Sequence, residues 1–260
     1  MENLYSQFKL LKHADRLADW QNGKISQPIF AAFDLSDRCN NKCPQCVSVL
    51  TYGHGGGEIV SREDALGVIK QLGEYGVKGI TFAGGGEPTC NPHLEKAIRT
   101  AKKEIGDVAL VTNGLKLEDK IIEAVVDCCT WTRVSLDADS PELYLKTHGM
   151  PKKYFEKVVA NILKLTETRE RKGKKEDLTL GVTYLIGRHT AEGIYPAAKL
   201  AKNLGVDYIR FRPFFIWEGK EMALKPEETE KINRELKRCE ELRTPNFAAS
   251  YSTQRCNAMV

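Results

Sequence analysis

The chain has 260 residues, a formal net charge of +4, 42% hydrophobic residues and 28% charged residues, the composition of a globular domain that can bury one core. It has no uninterrupted run of about 18 apolar residues, so we expect no membrane-spanning helix and no membrane partner. Residues 1–13 lack the basic start and apolar stretch of a secretory signal, and we expect a cytoplasmic protein. The densest positive patch, residues 169–175, has no interleaved aromatic residues, so it is interpreted as a solvated loop and not as a nucleic-acid contact.

Eight cysteines are present, and three of them form one tight group at Cys39, Cys43 and Cys46. In a chain of this length without an export signal, such a distribution favours reduced thiols and a metal centre over disulfides. Three further cysteines are interpreted as buried or half-buried small apolar residues, namely Cys90, Cys128 and Cys129.

The first part of the chain predicts a helix followed by a strand. Leu4, Phe8, Leu11 and Trp20 recur at roughly helical intervals, which indicates an amphipathic helix that covers the core. The apolar run at residues 29–35 is typical of a buried strand. This strand leads directly into the loop that contains the three grouped cysteines.

From there, strand patterns alternate strictly with amphipathic helix patterns. The six strands are predicted at residues 29–35, 79–82, 108–111, 131–136, 178–184 and 206–211. Strict alternation predicts an α/β fold with a parallel sheet, either an open doubly wound sheet or a barrel. The expected organisation is an N-terminal helical extension at 1–28, a main domain at 29–214, and a C-terminal helix and tail at 215–260.

The cysteine loop is suited to an inorganic centre. Pro44 and the polar residues before it oppose a continued helix, so the backbone can fold around a compact core. Cysteine thiolates normally hold a cubane iron-sulfur cluster in fours, so three thiolates imply one iron that is open to another ligand. The alternative is a structural zinc site with His54 as the fourth ligand, since Cys3His sites use similar short spacings.

A glycine-rich turn follows the second predicted strand at residues 82–88. Its glycines let the backbone approach a ligand closely. Alone it could be a phosphate-binding turn or merely a tight turn, but the carboxylate of Glu87 would repel phosphate. The charge fits an ammonium-like partner better.

The spacing Cys-x3-Cys-x2-Cys, together with Gly-Gly-Glu-Pro at residues 85–88, resembles the radical S-adenosylmethionine (SAM) superfamily. The resemblance covers about residues 29–214 and implies a [4Fe-4S] cluster whose fourth iron is chelated by the amino and carboxylate groups of SAM. One electron, from a reductant such as flavodoxin or ferredoxin, then splits SAM and yields a 5'-deoxyadenosyl radical. The resemblance also implies a partial (β/α)6 TIM-like barrel with its site at the C-terminal strand ends. Gln45 departs from the family, where this position is usually aromatic and packs near the adenine.

The same resemblance assigns the expected SAM contacts. Gly85, Gly86 and Glu87 are expected to hold the amino group. The remaining expected contacts are Gln45, Asn113, Ser135, Asp137 and Lys146. Of these, Ser135 and Asp137 are similar to a segment that meets the SAM ribose and carboxylate, and a carboxylate can accept both ribose hydroxyl hydrogens. The alternative is that the polar residues are plain strand exits and that Lys146 is a solvated helix lysine.

Four residues on or just beyond the last two strands are candidates for substrate binding: Tyr184, Arg188, Arg210 and Arg212. Arginines at strand ends suit a carboxylate or a phosphate on a substrate. The alternative is an ion pair of an arginine with Asp207 or Glu218.

The C-terminal part predicts a polar helix at residues 226–243 and a tail that contains Cys256. This resembles the point where SPASM or twitch extensions begin, but the other cysteines of such a domain are absent, so we expect one cluster. The expected reaction is hydrogen abstraction from a peptide or protein side chain. A small metabolite such as a sugar or nucleoside is the second candidate, and a zinc-stabilised binding module without catalysis is the third.

Overall fold

The structure is a computed structural model that describes residues 11–44, 46, 48, 56–187, 189–213 and 226–251. The predictions for Gln45, His54, Arg188 and Cys256 therefore lie outside the described residues, as do those for Leu4 and Phe8. Within the described ranges, every helix is too short or too polar to cross a membrane.

One parallel sheet forms the centre of the molecule, and each strand pairs with the next strand along the chain. The strands are β1 (Phe30–Asp34), β2 (Gly79–Ala83), β3 (Asp107–Thr112), β4 (Trp131–Ser135), β5 (Thr179–Ile186), β6 (Tyr208–Pro213) and β7 (Ala248–Tyr251). The six predicted strands are confirmed. The last strand was not predicted, because four residues without a strong strand pattern give a weak signal and pairing with β6 decides their conformation.

Helices connect the strands and cover one face of the sheet. They are α1 (Ala14–Gln21), α2 (Arg62–Glu74), α3 (Leu94–Glu104), α4 (Asp119–Cys128), α5 (Pro141–His148), α6 (Lys153–Arg171), α7 (Ile194–Asn203) and α8 (Pro226–Glu240). Strand, helix and parallel strand in sequential order form an α/β fold that is consistent with a partial TIM-like barrel. The predicted fold class is confirmed.

Local signals explain where two of these helices begin and end. Ser61 caps α2 by accepting the backbone N–H of Asp64, and Gly76 follows the helix with a φ of +87°. The same logic applies to α5, which was not predicted as a helix. Ser140 accepts the N–H of Leu143 at its start, and Gly149 ends it with a φ of +62°.

The N-terminal helix α1 does not cover the core as expected, since none of its residues is buried. Its Arg16 side chain instead donates to the carbonyl oxygens of Pro28 and Gly76 at 2.9 and 2.7 Å. These two bonds attach α1 beside the start of the sheet. The core lies between the sheet and helices α2 to α8.

The interpretation of residues 169–175 as a solvated loop is wrong for Arg169, which is the last but two residue of α6 and is fully buried. Its guanidinium pairs with the Asp207 carboxylate at 2.5 Å. It also donates to the carbonyl oxygens of Leu178 and Gly205, each at 3.0 Å. A buried arginine is tolerated here because a carboxylate and two carbonyl groups accept from its terminal N–H groups.

Candidate active site

The three grouped cysteines lie on the loop after β1, at the C-terminal edge of the sheet. Cys39, Cys43 and Cys46 border a cavity of about 250 Å³. The other residues around it come from the cysteine loop, from the C-terminal ends of β2 to β5 and from the end of α5: Asn41, Gly84, Gly86, Glu87, Pro88, Val111, Thr112, Asn113, Ser135, Asp137, Thr147, His148 and Leu185. The fold therefore brings the cysteines together with most of the predicted SAM contacts.

The glycine-rich turn after β2 supports the base of the cysteine loop. The Gly86 and Glu87 N–H groups donate to the carbonyl oxygens of Ser36 and Arg38 at 2.9 and 2.8 Å, and the Gly85 N–H donates to the carboxylate that ends β1. A Cβ on Gly86 would lie 2.3 Å from the Arg38 oxygen, so only glycine fits. The N–H groups of Gly85, Gly86 and Glu87 already donate to protein oxygens. The turn can therefore offer a ligand mainly hydrogen-bond acceptors, which are the groups that an ammonium ion requires.

Glu87 is buried and links the turn after β2 to the end of β3. Its Oε1 accepts from the Thr89 hydroxyl at 2.7 Å and the Thr112 hydroxyl at 2.5 Å, and its Oε2 accepts the Asn113 N–H at 2.7 Å. Burial raises the pKa of this carboxyl, and the Thr112, Asn113 and Thr89 donors oppose the rise. Glu87 thus has a structural role in the described residues, and its contact with the SAM amino group stays a prediction.

Asn113 connects β3 to the cysteine loop. Its amide donates to the Asn40 side-chain oxygen at 2.6 Å and lies 3.8 Å from the Cys39 sulfur. Its own side-chain oxygen accepts the Leu115 N–H at 3.0 Å, which fixes the orientation of the amide. Asn113 therefore holds the loop from the side of β3.

Ser135 is the last residue of β4, Asp137 lies two residues beyond it, and both border the cavity. Asp137 has a φ of +44°, a left-handed backbone conformation that is uncommon for a residue with a side chain. Its Oδ1 accepts the Leu185 N–H at 2.8 Å. Burial raises the pKa of Asp137 to about 7, although the Leu185 N–H, Arg133 and Arg212 oppose the rise. The second carboxyl oxygen keeps its acceptor capacity for a ligand.

The C-terminal end of α5 contributes a cavity residue that the sequence reasoning missed. The His148 Nε2 lies 3.3 Å from the Ser135 carbonyl oxygen, and the ring stacks on Tyr144 at 4.1 Å between centroids. Burial lowers the pKa of His148 to about 4, so the ring is neutral at pH 7. The Lys42 N–H donates to the His148 carbonyl oxygen, which docks α5 on the cysteine loop. Ser140 as the N-cap and Pro141 as the first helical residue were the available signal.

Of the predicted contacts that the structure describes, those that do not border the cavity are Gly85, Lys146, Tyr184, Arg210 and Arg212. Lys146 is exposed on α5 and does not border the cavity. Tyr184 is fully buried on the helix-facing side of β5, where its hydroxyl donates to the Thr190 carbonyl oxygen at 2.7 Å and its ring meets Phe211 edge to face. The expectation that Tyr184 lies with the substrate residues is corrected, because alternate residues of a strand point to opposite faces.

Arg210 and Arg212 lie on the opposite face of β6, toward the interior. The register pairs Ser135 with Thr183 and Thr183 with Arg210, so these residues share the face that borders the cavity. Arg212 lies close enough to Asp137 to lower the pKa of that carboxyl. Asp207, which was considered as a partner for these arginines, instead pairs with Arg169 and Lys175.

The donor set fits a multi-iron cluster. Burial raises the pKa of the Cys39 thiol to about 11, with Glu87, Cys90 and Cys46 adding to the rise, and burial also raises the pKa of Cys43. Cationic iron is the partner that offsets this cost of a thiolate. In the described part of the chain no three Cys, His, Asp or Glu side chains converge tightly enough for a single metal ion. Thiols spread around one cavity suit a cluster in which each thiolate binds a different iron.

A profile of the Radical SAM superfamily matches residues 34–201, which is more than half of the chain. The chain belongs to the radical SAM superfamily. Members of this superfamily bind a [4Fe-4S] cluster and SAM, so the family decides against the non-catalytic zinc module. Cys39, Cys43 and Cys46 are the residues that fit the cluster, and the turn that contains Gly86 lies beside them.

Curated relatives of this radical SAM chain include enzymes named for nucleotides. A probable GTP 3',8-cyclase from Saccharolobus islandicus (strain M.14.25 / Kamchatka #1) is 28% identical over 177 residues, covering 67% of this chain and 53% of that protein. An S-adenosylmethionine-dependent nucleotide dehydratase from Flammeovirga pacifica is 31% identical over 114 residues, covering 41% of this chain and 37% of that protein. The chain thus spans about half the length, or less, of these relatives.

Solved structures share the fold over most of the chain. SuiB of Streptococcus suis bound to S-adenosylmethionine has a TM-score of 0.69 and 16% identity, covering 97% of this chain and 58% of that one. The enzyme anSMEcpe with bound AdoMet has a TM-score of 0.64 and 17% identity, covering 83% of this chain and 58% of that one. At these identities the likeness concerns the fold.

Proposed function

We propose that the chain cleaves SAM reductively and removes a hydrogen atom from an organic substrate that carries an anionic group. The observation that supports this most is that three thiols of one loop border the same cavity as the glycine-rich turn and the end of β4. When bound, the [4Fe-4S] cluster and SAM supply a 5'-deoxyadenosyl radical once one electron arrives from a reductant such as flavodoxin or ferredoxin. We propose Cys39, Cys43 and Cys46 as the cluster ligands.

The remaining cavity residues have binding and positioning roles in this proposal. The acceptors of Gly86 and the charge of Glu87 suit the SAM amino group, and Ser135 and Asp137 suit its ribose hydroxyl groups. His148 is neutral and buried, so it borders the cavity without adding a charge.

The substrate is proposed to lie toward β5 and β6, where Arg210 and Arg212 face the interior. Arginines bind phosphate and carboxylate groups in a bidentate manner. Of the two candidate substrate classes, a small molecule with phosphate groups, such as a nucleotide, is favoured by this positive charge and by the names of the curated relatives. An acidic peptide or protein side chain is the second candidate, since a carboxylate fits the same arginines.

Anaerobic reconstitution with iron and sulfide, followed by dithionite and SAM, tests the reaction class. We expect a brown protein that forms 5'-deoxyadenosine, measured by mass spectrometry. A nucleotide deuterated on its ribose then tests the substrate class, because hydrogen abstraction transfers deuterium into 5'-deoxyadenosine. A brown protein that binds SAM but leaves it intact under reduction contradicts the proposal, and deuterium transfer from an acidic peptide instead favours the second candidate.

A further inference from the structure

The interior face of β4 carries an arginine, Arg133, that the sequence reasoning did not consider. Ser135 borders the cavity, and alternate residues of a strand share a face, so Arg133 points to the same interior. The register pairs Arg133 with Gly181 and Gly181 with Tyr208. A Cβ on Gly181 would lie 2.1 Å from the Tyr208 ring, so this ring covers the glycine beside Arg133.

The charge around Arg133 is positive. Strands β4 to β7 contain Arg133, Arg210 and Arg212 and have no Asp or Glu in their sequences. Asp137, just beyond β4, is near enough for Arg133 and Arg212 to lower its pKa. Two guanidinium groups, those of Arg133 and Arg212, therefore act on one carboxyl on this side of the interior.

The surroundings of Arg133 differ from those of a structural arginine in the same protein. Arg169 is buried against the Asp207 carboxylate and two carbonyl oxygens. The Arg133 guanidinium instead lies over the Trp131 ring at 5.4 Å. The Nε atoms of both arginines are buried without a hydrogen-bond partner in the described structure, so the difference lies in the terminal nitrogens, which in Arg169 reach a carboxylate and two carbonyl oxygens. A buried polar donor of a cation is costly unless an acceptor reaches it. An acceptor on a bound ligand would offset this cost at Arg133.

We propose that Arg133 binds the anionic group of the substrate, a phosphate or a carboxylate, in the interior of the barrel above the aromatic side chains of Trp131 and Tyr208. The inference rests on the proposed function, in which the substrate occupies this side of the cavity, and it names the residue that selects an anion. Planar guanidinium N–H groups match two oxygens of either anion. Arg133 is thus the substrate-selecting residue on β4.

Calorimetric titration of the reconstituted, SAM-bound enzyme with inorganic phosphate and with acetate tests this role. We expect Arg133→Met to bind the preferred anion at least tenfold more weakly than the wild type and Arg133→Lys to recover part of the loss. Arg99→Met is the matched control, because Arg99 lies on helix α3 in ion pairs with Glu95 and Asp127. Tighter binding of phosphate indicates a phosphate ester as substrate, and tighter binding of acetate indicates a carboxylate.

Equal anion affinity in the wild type, Arg133→Met and Arg133→Lys would overturn the inference, as would a wild type that binds neither anion. Iron content, SAM affinity and 5'-deoxyadenosine formation without substrate are measured on the same samples. Iron content is expected to be unchanged in both variants, and 5'-deoxyadenosine formation by the wild type shows whether the radical chemistry operates, so a failure of the anion site is distinguishable from a failure of the radical chemistry. If Arg133→Met does not fold, Arg133→Lys decides the outcome, since it keeps the charge and loses the bidentate fork.

Discussion

The two halves of the sheet carry opposite charges. Strands β1 to β3 contain two aspartates and no lysine or arginine, whereas β4 to β7 contain three arginines and no acidic residue. The first half leads to the cysteine loop and to Glu87, a negative environment that suits the cationic groups of SAM. The second half suits an anion. The difference supports the proposal that one interior holds a cationic cofactor and an anionic substrate side by side.

Polar groups at the ends of the first three strands hold the cysteine loop. Glu87 and Asn113 are bonded to the protein there and thereby fix the loop. Buried side-chain atoms without a hydrogen-bond partner occur in both halves of the described structure, on Thr81, Asn40 and Asn41 in the first and on Arg133 in the second. Both halves therefore leave polar atoms that the described residues do not satisfy.

The largest effect is expected when the cysteine loop of the first half is broken. Cys43→Ala removes one of the three proposed cluster ligands, so iron and sulfide content and 5'-deoxyadenosine formation should be lost. Cys128→Ala, which removes a buried thiol of α4, should keep both. Full iron and sulfide content in Cys43→Ala would show that the cluster is bound elsewhere.

A second test separates the structural arginine from the proposed binding arginine. Asp207→Ala leaves Arg169 buried without its carboxylate, and we expect a loss of about 3–5 kcal/mol in the free energy of unfolding, measured with urea. Asp177→Ala removes an exposed partner of Lys174 and should change stability by less than about 1 kcal/mol. Similar stabilities of the two variants would contradict a buried ion pair at Asp207.

Asp137 follows β4, where the two halves of the sheet meet. Its raised pKa predicts how the free energy of unfolding depends on pH. The pKa of this carboxyl is near its ordinary value of 3.8 in the unfolded chain and about 7 in the folded protein, so the folded state holds an extra proton between these pH values. The contribution of Asp137 to stability is therefore present below about pH 4 and is lost as the pH rises to about 7. Relative to Asp137→Asn, the SAM-free wild type should lose up to roughly 4 kcal/mol over this range. If the free energies of unfolding of the wild type and of Asp137→Asn change with pH in parallel, the raised pKa of Asp137 is refuted.

The smallest effect concerns Glu87. In Glu87→Gln an amide NH2 group replaces one carboxylate oxygen. This group then faces an N–H or O–H donor that bonds to the carboxylate of Glu87 in the wild type. We expect a loss of about 1–3 kcal/mol in the free energy of unfolding, together with weaker SAM binding by calorimetry. Glu118→Gln, at an exposed ion pair with Lys120, is the control. If Glu87→Gln keeps its stability and loses only SAM affinity, Glu87 acts on the cofactor alone.

Most of the first half of the site could be predicted from the sequence. The cysteine spacing and the Gly-Gly-Glu-Pro segment each lie within a few residues, so their chemistry is visible without a fold. The roles of Glu87 and Asn113 were less visible, because the bond between them joins residues 26 positions apart. Tyr184 was misplaced because its sequence position identifies the strand end but not which face of β5 borders the cavity.

The sequence by itself determined the six alternating strands, the fold class and the cysteine loop, because hydrophobic periodicity and motif spacing act over short stretches of chain. Only the tertiary structure decided that β7 extends the sheet, that His148 borders the cavity and that Arg169 is buried with Asp207. Each of these depends on contacts between distant residues, such as the 38 positions between Arg169 and Asp207. The same holds for Arg133, whose interior position follows from the pairing of β4 with β5.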